Sequence, residues 1–202
     1  LLVLHGLRLK AFADPAALSP ATGLDVGHVM ESLAELGKEG LVARREGRVS
    51  GWSLTQAGRE VHIDLLQEEL VAAGCHDLIA ASYGRFRALN GELLSTCTAW
   101  QLQEVDSRQV ANDHRNADYD AGVIARLSAV NAAVQPVCAD LGEPMGRFLP
   151  YSGRLQGALD RVVAGELDWF TKPLIDSYHA VWFELHEDLL VTLGIERSKE
   201  IP

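Results

Sequence analysis

The sequence predicts a mainly α protein in which a small helix–turn–helix unit, closed by a two-stranded hairpin, precedes an all-helical body. Three observations lead there. Residues 24–54 read in order as a short amphipathic helix, a Gly-Leu-Val stop, an arginine-bearing strand, a tight Glu46-Gly47 turn and a second strand. A long helical pattern over 56–73 leads out of that unit and stops at Gly74. From there to the end, apolar residues recur at gaps of three and four, with no convincing alternating strand. The chain therefore divides into residues 1–73 and 74–202.

Each element has a local cause. Leu2, Leu4, Leu7, Leu9 and Phe12 give residues 1–12 a mostly helical rhythm, with Arg8 and Lys10 left for solvent. Asp14-Pro15 is a helix start, an acid at the N-cap and a proline at the first helical position. The short helix over 15–21 ends at the Gly23 turn, and Asp25 caps the next one. There Val26, Val29, Met30, Leu33 and Leu36 form the expected buried stripe, while Gly27, His28, Glu31, Ser32 and Glu35 face outward. Residues 41–45 and 50–54 are the two strands, and Thr55 caps the helix that follows. Three helices and a two-stranded wing in this order make the N-terminal unit a winged helix-turn-helix. In the body, Tyr119, Val123, Leu127, Val130, Val134, Val137 and Leu141 mark the longest helix. Residues 105–117 are expected to be a polar loop, and the last helix to run over 173–193.

Charge separates the two parts. The chain carries a net −10, yet six bases balance six acids over residues 1–55, which places the whole excess on 56–202. The tightest arginine cluster, Arg44, Arg45 and Arg48, lies on the wing. Cys75, Cys97 and Cys138 are odd in number and lack CxxC spacing, as expected of reduced thiols. The apolar opening is interrupted by Arg8 and Lys10, and no run approaches about 20 apolar residues, so a soluble cytoplasmic protein without a membrane partner is expected.

The residues Leu33, Gly40-Leu41-Val42, Arg44-Arg45, Gly47-Arg48, Ser53-Leu54-Thr55 and Gly58-Arg59 resemble the MarR-like winged-helix transcriptional regulators. Those proteins carry "GLV", an arginine-rich wing and "LTxxGR" at the next helix. The likeness covers about the first third of the chain. WFTKPLIDSYHAVWFELHEDLL resembles the helical half of actinobacterial regulators of this type. The resemblance implies double-stranded DNA as partner and a homodimer, since paired half-sites suit a two-fold protein.

Helix–turn–helix geometry puts the N-terminal half of the second helix in the major groove. Gly27, His28, Glu31 and Ser32 would then face base edges, with Lys38 further along. Arg44, Arg45 and Arg48 would lie on phosphates, giving salt-dependent and sequence-blind affinity. Glu31, Glu35 and Glu39 weaken the electrostatics of that helix. The alternative is a winged-helix adaptor that binds a protein and not DNA.

In the body, Trp100, Trp169, Tyr178, His179, Trp182 and His186 are open to two interpretations, a small-molecule effector pocket or ordinary aromatic core. His179 and His186, seven residues apart, stand about 10.5 Å apart along a helix axis, too far to chelate one ion alone. No HExxH, GxSxG or Gly-rich phosphate loop is present, so no metal, cofactor or catalytic residue is assigned. Glu184, Glu187 and Asp188 are expected to form a solvated helix face.

Overall fold

The protein is described here from a computed structural model, which covers residues 1–47, 50–105 and 107–199. These residues are mainly helical, with two small two-stranded antiparallel sheets. The first unit comprises α1 (Leu2–Lys10), α2 (Pro15–Thr22), α3 (Val26–Lys38), β1 (Val42–Arg45), β2 (Gly51–Leu54) and α4 (Gln56–Ala73). The body comprises α5 (His76–Gln101), β3 (Leu102–Val105), β4 (Arg108–Ala111), α6 (Ala117–Gly142), α7 (Leu149–Val163), α8 (Asp168–Thr171) and α9 (Tyr178–Thr192). A 3-10 turn over Gly146–Phe148 leads into α7.

Capping chemistry sets most boundaries. Asp14 Oδ1 accepts from the Ala17 amide at 2.8 Å, and Gly23 ends α2 at φ 72°. Thr55 Oγ1 accepts from the Gly58 amide at 3.0 Å and donates to the Gly40 carbonyl at 2.8 Å. Gly58 has a packing reason of its own: a Cβ there would lie 1.9 Å from the Leu41 carbonyl oxygen. The Thr-x-x-Gly stretch thus lets α4 begin flush against the strand entering the hairpin. Val3, Leu4, Leu7, Leu18, Val29, Leu33, Val42 and Leu54 fill the core beneath.

Several expectations need correction. Val26 and Met30 are 41% and 57% exposed, because the buried stripe of α3 is narrow and centred on Val29 and Leu33. Where a loop was expected over 105–117, Leu102–Val105 pairs antiparallel with Arg108–Ala111, with Leu102 opposite Ala111 and Val105 opposite Arg108. All four β4 residues are exposed, so no inward-facing alternation marked the strand in the sequence. The last helix begins at Tyr178, where Ser177 Oγ accepts from the Ala180 amide at 3.3 Å. Residues 168–171 form the separate short helix α8.

The body packs α5, α6, α7 and α9 around Phe86, Leu127, Val134, Leu155, Tyr178 and Leu185. By length and composition α6 is the one described helix that fits a membrane span, at mean hydropathy 1.2 with 39% of that window buried. Its stripe from Val123 to Leu141 lies in this core. Leu70, near the end of α4, belongs to the same core, so the first unit is packed on the body as well as joined to it.

The acidic trio is also not a solvated face. Asp188 is 1% exposed and Glu184 8%, while Glu187 is half-buried and pairs with Arg197 at 2.5 Å. Asp188 pairs with Arg147, whose Nε donates to Glu69 at 2.7 Å and whose Nη2 donates to Thr192 at 2.5 Å. Tyr151 Oη and His5 also reach Asp188, each at 3.0 Å. Burial alone would raise the Asp188 pKa, but Arg147 and His5 hold the carboxyl well below the carboxylate range. A second cluster joins Lys10 to Asp176 (3.2 Å) and Glu184 (2.5 Å), with Arg154 on the same two acids. Both clusters span the seam between α1 or α4 and the body.

Two stability outcomes are expected. Gly58→Ala must displace backbone at Leu41 and should cost about 2 kcal/mol or more in urea unfolding. Arg147→Ala leaves Asp188 buried without its cation and should cost about 3–5 kcal/mol by the same measurement.

Candidate nucleic-acid interface

α2, the Gly23 turn and α3 are locked together by short polar contacts. Ser19 Oγ donates to the Leu24 carbonyl at 2.7 Å and Thr22 Oγ1 to the Leu18 carbonyl at 2.9 Å. Asp25 caps α3 by accepting from the His28 amide at 3.1 Å, and its other oxygen meets His28 Nδ1. That side-chain hydrogen bond raises the His28 pKa and lowers that of Asp25. A proton on His28 is thereby favoured at the N-terminal end of α3, the end whose exposed amides carry partial positive charge.

Gly27, His28, Glu31 and Lys38 are exposed along α3. Ser32 is half-buried and borders a different cleft, of about 310 Å³, with Leu1, Leu24 and Glu39. It stands one turn from His28 on α3, at the edge of the exposed face. In the hairpin, Val42 pairs with Leu54 and Arg44 with Trp52, so the buried end is apolar and the arginine end exposed. Ala13 adds two backbone hydrogen bonds to Trp52, at 2.8 and 3.1 Å. Gly51 permits this approach, since a Cβ there would lie 2.7 Å from the Phe12 ring.

Arg44 and Arg45 are both exposed, and Arg44 contacts the equally exposed Glu46 at 3.4 Å. Such a surface pair contributes little and leaves the guanidinium available. Arg48 lies outside the described residues. Between α3 and the hairpin runs a cleft of about 320 Å³, bordered by Met30, Ala34, Arg44, Ser50 and Trp52. Met30 and Val26, on the stripe that the sequence marks as core, are instead apolar parts of the exposed surface. The outward charge of α3 remains acidic, with Glu31, Glu35 and Glu39 all exposed.

The six aromatic and histidine candidates of the body do not line one cavity. Trp100 is 3% exposed, with Phe170 stacked at 4.4 Å and His114 tilted at 4.4 Å. It borders a cleft of about 580 Å³ with Gln101, Asn112, His114, Thr171 and Lys172. His179, Trp182 and His186 border another, of about 230 Å³, with Asn90, Phe183 and Arg197. Trp182 is nearly all core, stacked on Phe86 at 4.5 Å with its Nε1 donating to Asn90 at 3.0 Å. Tyr178 is fully buried and its hydroxyl pKa is raised, first by burial. Trp169 is half-buried under Arg161, 4.2 Å away. Neither Tyr178 nor Trp169 borders these two clefts.

Polar groups missed in the sequence surround the larger cleft. Asn112 Nδ2 donates to the Trp100 carbonyl at 3.1 Å and to Asp120 at 2.8 Å, which uses both of its hydrogens. His114 Nδ1, 3.1 Å from Asp120 Oδ2, therefore donates to that carboxylate. The hairpin brings Asn112 and His114 to this place, and nothing in local spacing pointed to it. Burial pushes Cys97 up to about 11 and Cys138 up to about 12, so these thiols stay protonated. Among the described residues no three His, Cys, Asp or Glu side chains gather as metal ligands.

No family model, curated protein or solved structure matches the chain.

The Asp25–His28 contact gives a direct check by NMR titration. Asp25→Asn should lower the His28 pKa toward 6.5, since its main cause of elevation is removed.

Proposed function

We propose that the chain is a DNA-binding transcriptional regulator of the MarR-like kind, with residues 1–73 acting as a winged helix-turn-helix. α3 would enter the major groove with Gly27, His28, Glu31 and Lys38 toward the bases, and Arg44 and Arg45 would rest on phosphates. The observation that supports this most is the common surface of α3 and the hairpin, where Met30, Ala34 and Arg44 border one cleft. Exposed Val26 and Met30 suit thymine methyl groups, an apolar form of base contact. A homodimer in the cytoplasm, reading two half-sites, fits the same scheme. An effector would belong in the Trp100–His114 cleft, since its volume of about 580 Å³ lies in the range of small-molecule sites and the His179 cleft's about 230 Å³ does not.

A protein-binding adaptor has one observation in its favour: the exposed apolar residues of α3 sit beside Glu31, Glu35 and Glu39. Those acids oppose phosphate, so the hairpin must supply most of the attraction to DNA.

The two schemes separate in a salt titration of fluorescence anisotropy on a labelled duplex from the chain's own upstream region. DNA binding predicts measurable affinity at low salt. Arg44→Ala with Arg45→Ala should then reduce the salt slope by about two. Affinity absent at low salt, or indifferent to the double substitution, would count against DNA and for the adaptor.

A further inference from the structure

The seam between the two units contains a histidine pair whose position is not explained by packing alone. His5 on α1 and His62 on α4 are 5% and 1% exposed. Their rings stack at 5.2 Å, with His5 Nδ1 2.9 Å from His62 Nε2. His5 Nε2 then reaches Asp188 of α9 at 3.0 Å and stands 3.3 Å from Arg147 Nη1. A chain of contacts thus leads from α4 through α1 to the buried ion pair of the body.

We propose that this histidine pair is a proton-sensitive latch, closing the first unit onto the body when it holds one bridging hydrogen and opening when both rings are fully protonated. The geometry permits one hydrogen between Nδ1 and Nε2, because one nitrogen must donate and the other accept. His5 Nε2 donates to Asp188 in either arrangement. With both rings fully protonated, two N–H groups would point at each other across 2.9 Å in a buried site. The surroundings do not relieve that conflict. Arg8 from α1 and Arg147 from the 3-10 turn oppose a further proton on His62; Asp188 from α9 favours it but is already engaged by Arg147 and Tyr151, as Arg147 is by Glu69 of α4.

The sign of the pH effect follows from His62, whose pKa burial first, and then His5, Arg8 and Arg147, push down to about 4. An opened latch binds the proton near the ordinary value of 6.5. The closed form is therefore fully favoured above that pH and loses ground as pH falls toward 4. The expected shift in the closed-to-open ratio exceeds roughly tenfold across this window. The second clasp, Lys10 on Asp176 and Glu184, contains no histidine and does not share the effect through this route.

Hydrogen exchange on the full chain tests the latch, and its outcome does not depend on whether α3 binds DNA. After correction for intrinsic rates, α1 and α4 should lose protection at pH 5 relative to pH 7.5, more than the α5 and α6 amides do. His62→Gln keeps a donor in the place of Nε2 and takes no proton, so its α1 and α4 should stay protected at both pH values. Equal protection of the wild-type seam at both pH values, or His62→Gln opening as the wild type does, would overturn the latch. Should His62→Gln fail to fold, an NMR titration of the wild-type rings decides: a His62 midpoint well below 6 supports the latch and one near 6.5 overturns it.

Discussion

A guanidinium and a carboxylate, each with its side chain 1% exposed, face each other where the two parts of the chain meet, and the arrangement of five elements depends on that pair. Arg147 and Asp188 cannot be buried singly, because an ion in a low-dielectric interior costs several kcal/mol, as an order of magnitude, unless compensated. Compensation here comes from Glu69 on α4, Thr192 on α9, Tyr151 on α7 and His5 on α1. Any other packing of the first unit on the body strands at least one of them. Buried pairs of this kind add little net stability over a hydrophobic equivalent, but they penalise wrong arrangements heavily. The orientation of α1 and α4 is therefore set by polar satisfaction, with Leu70 adding apolar contact nearby.

The consequence for function is one of connection. α3 and the hairpin share a small core with α1, and α1 carries both His5 and Lys10 to the body. α9 therefore touches α1 directly through Asp188 and Glu184, and α1 in turn shares its core with the element proposed to read DNA. On the proposed DNA reading, the acidic outward face of α3 leaves the hairpin arginines as the main source of phosphate attraction, so their position would matter most.

Much of the first unit was legible in the sequence because its signals are local. Asp14-Pro15, Gly23, Asp25 and Thr55 each act within a few residues, and each does so in the structure. Long helices of the body were legible from their apolar spacing. Three things were not. Val26 and Met30 lie at the edge of a narrow stripe, where periodicity alone does not separate core from surface. β4 packs no face inward, so it carries no alternation. Glu184 and Asp188 sit on a helix whose local pattern suggests solvent, and their cations come from Lys10, Arg147 and Arg154, far away in the chain. The effector candidates were scattered for a related reason: aromatic residues at helical spacing mostly found core partners, and Trp100 alone met a sizeable cleft.

DNA reading by α3 is tested most directly by selecting the full chain against a random pool of duplex DNA and sequencing the bound fraction. The expected result is enrichment of a short two-fold related motif, lost when His28 and Glu31 on the exposed face of α3 are replaced together by alanine. No enrichment, or one indifferent to those two substitutions, would contradict α3 as a DNA-reading helix.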